Sequence, residues 1–105
     1  MRPETKATAI SRTVKMAVWL RDGQECVICR RYAPIEWACA HIIRRSQGGR
    51  GIEQNIITLC PECHRALDEG KDAKQLRQMV VRYITELYPG WSREKVTYKK
   101  GGTNA

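Results

Sequence analysis

A chain of 105 residues with no phenylalanine has room for one small domain, and a core of that size calls for a staple. No apolar run approaches the ~20 residues of a membrane span, and the first residues lack the apolar stretch of a signal peptide. The expected setting is therefore the cytoplasm, where closely paired cysteines point to metal rather than to disulfides.

The net charge is +8, from 19 Lys and Arg against 11 Asp and Glu. Residues 1–25 hold five basic and three acidic side chains, residues 26–70 six and five, and residues 71–105 eight and three. The positive excess is thus largest beyond residue 70, a flank suited to a polyanion such as nucleic acid.

In chain order, residues 1–8 are polar, carry Pro3, and read as a loose arm. Ile10, Val14, Ala17 and Val18 fall at helical spacing, with Ser11 or Thr8 as the cap and Asp22-Gly23 as the stop. That helix reads as a packing element, with Trp19 laid over the first cysteine turn. Cys26 and Cys29 then form a Cys-x-x-Cys pair, ambiguous by itself because a redox pair has the same spacing. The second pair, Cys60 and Cys63, with no βαβ pattern around either, turns the reading to one closed four-thiolate zinc site. Such a site has no open position, so this zinc is structural and its binding energy is folding energy.

Between the pairs, a Pro-containing loop leads into a strand over residues 39–43, with Cys39 as a buried unpaired thiol. Residues 44–51 are a basic, glycine-rich loop whose Arg44, Arg45, Ser46 and Arg50 suit phosphate oxygens. A second strand spans residues 56–59, and a helix opens at Pro61 and stops at Gly70. Residues 72–88 have a helical stripe of Leu76, Met79, Val80, Tyr83, Ile84 and Leu87, expected to face the core. A short extended segment over residues 91–98 and a flexible basic tail over 99–105 complete the chain. The resulting organisation is a single domain over residues 9–98 with its core at 26–70.

Over that core the sequence resembles the HNH endonuclease family, whose centre is a ββα-metal motif. The resemblance rests on Ala40-His41-Ile42-Ile43-x-x-Ser46, Gly48-Gly49, Asn55-x-x-Thr58-Leu59-Cys60 and Cys63-His64, with His41, Asn55 and His64 in the family's His, Asn, His order. It implies a small α+β, zinc-stapled domain with a ββα-metal core flanked by an N-terminal and a C-terminal helix. It also implies a metal-dependent endonuclease that hydrolyses phosphodiester bonds in DNA, leaving a 5′-phosphate and a 3′-hydroxyl. Small members of this type occur in phages, which would put the chain in a bacterial host cytoplasm, linked to DNA processing or packaging.

The resemblance makes His41 the general base, Asn55 the residue that ties the loop and orients the base, and His64 a ligand of a catalytic Mg²⁺ or Mn²⁺. One position departs from the pattern: Ala40 stands where the family carries a metal-ligating side chain, and offers only a backbone carbonyl. Asp68 lies four residues after His64 on the same helix face and is the substitute, unless it is a solvent-facing acid at a helix end. Arg44, Arg45 and Arg50 are the expected DNA contacts. The alternative function is a non-catalytic, zinc-containing DNA-binding module derived from the same fold. No membrane partner is expected, and the pattern marks no oligomer interface.

Overall fold

A helix stop, two cysteine turns and a pair of very short strands set the architecture. The computed structural model describes residues 3–98, so the tail expected over 99–105 and the first two residues of the expected arm lie outside the described residues. The elements are α1 (Pro3–Thr8), α2 (Arg12–Arg21), β1 (Ala40–His41), β2 (Ile56–Ile57), α3 (Pro61–Glu69) and α4 (Ala73–Leu87), joined by short 3-10 turns. The fold is a small α+β domain whose β1, β2 and α3 form a ββα unit. Residues 3–8 are thus a short helix where a loose arm was expected.

Ser11 caps α2 by accepting the Val14 N–H at 3.1 Å, a contact worth about 1 kcal/mol. At its other end Arg21 and Asp22 do unexpected work. The Arg21 guanidinium donates to the Glu53 carbonyl at 2.7 Å and the Ile56 carbonyl at 2.8 Å. Buried Asp22 accepts from the Thr58 N–H at 2.9 Å and from the Tyr83 hydroxyl at 2.6 Å. One adjacent ion pair therefore ties α2 to both ends of β2 and to α4. Burial, followed by Asp22, pushes the Tyr83 phenol up to about 12.

β1 and β2 pair antiparallel with Ala40 opposite Ile57 and His41 opposite Ile56. They are shorter than the apolar runs suggest, because the neighbouring backbone bonds elsewhere. The Thr58 carbonyl accepts from Val27, and Leu59 donates to the carbonyl of Trp37, which ends a 3-10 turn over Ile35–Trp37. The main core gathers Cys26, Ile42, Ile57, Leu59, Cys60 and Leu67 with Val80 and Ile84 of α4. Trp37 packs on this cluster. Trp19, expected there, joins a second cluster with Val18, Ala38 and Ile56 and donates its indole N–H to the Ala33 carbonyl at 2.8 Å.

α3 packs along α4. The α4 stripe is narrower than its period suggests. Val80 and Ile84 are fully buried, but Met79 is 46% and Leu87 43% exposed, and Val81 and Tyr88 pack on the core in their place. Arg77, which the helical wheel puts on a solvated side, instead turns inward and donates to the Ile42 carbonyl. Residues 91–98 hold a 3-10 turn at Glu94–Val96 rather than a plain extended segment. They close on the glycine loop, with Arg50 N–H to the Val96 carbonyl at 2.8 Å and Tyr98 N–H to the Gly48 carbonyl at 2.7 Å.

Candidate metal centre and active-site cavity

The two Cys-x-x-Cys turns repeat one geometry. The Cys29 N–H points at the Cys26 sulfur at 3.4 Å, and the Cys63 N–H at the Cys60 sulfur at 3.4 Å. In the first turn Arg30 has a left-handed backbone at φ +67°. In the second, Pro61 opens α3 and Cys60 is its N-cap. The four sulfurs lie within 4.8 Å of one another, and Cys29 and Cys60 are 3.8 Å apart. A tetrahedral zinc with Zn–S bonds of about 2.3 Å has S···S edges of about 3.8 Å, so the spacing fits the ion.

The four thiols differ in their electrostatics. Burial raises the Cys26 thiol, but the N–H groups of Cys29, Cys60 and Ile28 bring it down to about 7. Burial, then the neighbouring sulfurs, pushes Cys63 up. Four thiolates this close repel one another unless a cation neutralises them, and a closed all-sulfur set could hold zinc.

An open cavity of about 500 Å³ lies between the basic loop and α3. His41 from the end of β1 and His64 from the first turns of α3 both line it, with Asp68 one helical turn further on. Arg44, Arg45 and Ser46 of the basic loop form another part of its wall. His64 Nε2 is 3.5 Å from Asp68 Oδ2, and the two side chains are 39% and 43% exposed. Asp68 also faces Arg77 at 3.9 Å, and its backbone carbonyl accepts from the Arg44 guanidinium at 3.0 Å.

His41 is half-buried, with Nε2 2.9 Å from the Thr8 carbonyl. Burial lowers its pKa below 6.5, the Thr8 carbonyl acts in the opposite sense, and the positive field of Arg45 and His64 adds to the lowering. The imidazole is therefore neutral at pH 7, the state a proton acceptor needs.

Asn55 is wholly buried and does not reach the cavity. Its Oδ1 accepts from the Ile43 N–H at 2.8 Å, and its Nδ2 donates to the carbonyls of Ile43 at 3.2 Å and Arg50 at 2.9 Å. It therefore bridges the two ends of the basic loop, directly after His41. Gly49 makes this bridge possible, since a Cβ there would sit 1.7 Å from the Ile43 carbonyl oxygen. Asn55→Ala would leave three buried backbone groups unpaired at about 1–3 kcal/mol each. The expected outcome is a fall in thermal midpoint of more than about 10 °C, read by circular dichroism.

Three other residues sit differently from expectation. Ala40, whose carbonyl is the third candidate ligand, is buried in β1 and is not part of the cavity lining. Arg50 is exposed and also outside the lining, held by its backbone to Val96 and Asn55. Cys39 precedes β1, is half-buried rather than buried, and lines the cavity. Two residues that contact the site, Thr8 and Arg77, were not anticipated. Their partners are 33 and 35 positions away in sequence, and the one local signal is Gly51, a glycine where another segment approaches closely.

The family model for HNH endonuclease matches residues 26–70. The Type IV methyl-directed restriction enzyme EcoKMcrA of Escherichia coli (strain K12) is 43% identical over 47 residues, which cover 45% of this chain and 17% of that relative. The chain thus corresponds to under a fifth of the length of this curated relative. The matched segment holds both cysteine pairs, His41, Asn55, His64 and Asp68. Residues 26–70 therefore resemble the HNH endonuclease family, and over that segment the structure shows a ββα unit beside a cluster of four cysteines.

Proposed function

We propose that the protein is a DNA endonuclease whose reaction takes place in the cavity between the basic loop and α3. The observation that carries this reading is that His41 and His64, from different elements, line one cavity together with Asp68 and two arginines. The HNH match over residues 26–70 and likeness to a restriction enzyme support DNA as the substrate.

In this reading the neutral His41 imidazole takes a proton from a water molecule, and the water oxygen attacks phosphorus. The bond from phosphorus to the 3′-oxygen breaks, that oxygen takes a proton from solvent water, and the products are a 5′-phosphate and a 3′-hydroxyl. Arg44 and Arg45 bind non-bridging phosphate oxygens and fix the strand beside the base. Arg50, outside the cavity, contacts the backbone of the DNA further along. Asn55 holds the loop that carries these arginines.

His64 and Asp68 offer one imidazole nitrogen and carboxylate oxygens, a set that suits Mg²⁺ or Mn²⁺ completed by water. A divalent ion bound there supplies Lewis-acid stabilisation of charge on the phosphate and the leaving oxygen. Ala40 is buried and does not line the cavity, which in this reading leaves the ligand role to Asp68.

The test is supercoiled plasmid incubated with zinc-loaded protein and Mn²⁺, followed by end analysis. The expected products are nicked or linear molecules with ligatable 5′-phosphates. DNA that is retarded in a gel but stays supercoiled would favour the second reading, a non-catalytic DNA-binding module, which Ala40 in the usual ligand position supports. Asp68→Ala should raise the Mn²⁺ concentration needed for half-maximal nicking by at least about tenfold. Being half-exposed, Asp68 should change stability by no more than about 0.5 kcal/mol when replaced. An unchanged metal requirement would make Asp68 a surface acid and nothing more.

A further inference from the structure

α1 lies outside the segment that matches the HNH family, yet its carboxy-terminal end is seated on the site. A helix leaves its last carbonyls without intrahelical partners. Here the nuclease core supplies them. The Ala7 carbonyl accepts from the Gly51 N–H at 3.0 Å, and the Thr8 carbonyl is 2.9 Å from His41 Nε2. The Thr8 hydroxyl accepts from Arg45 Nε at 3.0 Å and reaches back to the Thr5 carbonyl at 3.3 Å. Thr8 is 2% exposed, so these contacts are sheltered from competing water. The approach depends on Gly51, where a Cβ would lie 2.0 Å from the Ala9 carbonyl oxygen.

A carbonyl oxygen only accepts, so the ring nitrogen facing Thr8 must donate. That places the proton on Nε2 and leaves Nδ1 of the neutral ring with its lone pair. The same residue holds the Arg45 guanidinium through a different atom. The base and the phosphate-binding group are therefore fixed to one point on a helix that the family segment does not contain.

We propose that Thr8 is a positioning residue for the cleavage reaction: its carbonyl sets the tautomer and orientation of His41, and its hydroxyl sets the position of Arg45. This rests on the reading of His41 as the base, but its first test does not need cleavage. The chain contains two histidines, so both rings can be assigned by nitrogen-15 correlation spectra of the full, zinc-loaded protein. The expected result at pH 8 is His41 protonated on Nε2, with its ring N–H proton visible because the Thr8 carbonyl slows its exchange. A His41 protonated on Nδ1, or a ring N–H that exchanges as fast as an exposed histidine's, would overturn the proposal whatever the activity.

Two variants separate the two arms. Gly51→Ala pushes the end of α1 away; it should abolish the slow ring N–H and lower kcat by about 10²-fold, the scale of a misplaced reacting group. Thr8→Val keeps the carbonyl and removes the hydroxyl. It should preserve the His41 signal and raise KM for DNA by about fivefold, and Thr8→Ser should restore KM. Should Gly51→Ala fail to fold, the wild-type spectrum and the Thr8→Val and Thr8→Ser pair still decide the matter. Unchanged KM in Thr8→Val, or an unchanged ring N–H and kcat in folded Gly51→Ala, would contradict the assignment.

Discussion

His41→Ala is expected to slow Mn²⁺-dependent nicking by about 10²- to 10⁴-fold, the usual contribution of a general base. The argument is one of geometry and charge state together. His41 ends β1 at the cavity wall, where burial, aided by the Arg45 guanidinium, favours its neutral ring. On the same wall Asp68 pairs with His64 and Arg77, and the arginines hold their protons. The substitution removes a half-buried side chain and its contact with the Thr8 carbonyl, so zinc content should match wild type while the thermal midpoint falls by a few degrees. Single-turnover nicking alongside elemental analysis and a melting curve would read all three. A variant that nicks at the wild-type rate would take His41 out of the chemistry.

Cys60→Ser should cost the fold itself. Cys60 supplies one of the four sulfurs, caps α3 through the Cys63 N–H at 3.4 Å, and is buried in the main core. Structural zinc contributes on the order of 10–16 kcal/mol in small zinc domains. A domain of this size has a net stability of roughly 5–15 kcal/mol. Losing the ion therefore removes as much as the domain has to spare. The expected result is a chain without stoichiometric zinc and without a cooperative melt, reproduced in the wild type by a strong chelator. Cys39→Ser, outside the four-sulfur set, should keep both. Retention of a wild-type melt in Cys60→Ser would show that the fold closes without the metal.

The parts of this protein that were legible in its sequence are those whose geometry is local. Two Cys-x-x-Cys turns, Pro61 at the start of α3 and Gly70 at its end each act within a few residues, and the structure places them as read. The short strands were misjudged because their flanking N–H and C=O groups pair with Val27 and Trp37, segments distant in sequence. Residues 3–8 looked like an arm because a six-residue helix has little stability of its own and is held by docking on Gly51 and His41. Trp19 was expected over the first cysteine turn but packs in the second cluster, drawn there by the Ala33 carbonyl 14 positions away. Arg77 was read as solvated because the helical wheel sees only its own helix. The Ile42 carbonyl that draws it inward belongs to another element.

Binding of Mn²⁺ to the zinc-loaded protein, followed through the imidazole signals of the two histidines, tests the shared cavity most directly. If one pocket holds both the ion and the base, substoichiometric Mn²⁺ should broaden His64 first and His41 with it, and Asp68→Ala should weaken both effects together. Broadening confined to acidic side chains elsewhere, with both histidines sharp, would mean that the cavity takes no ion and that the chain binds DNA without cutting it.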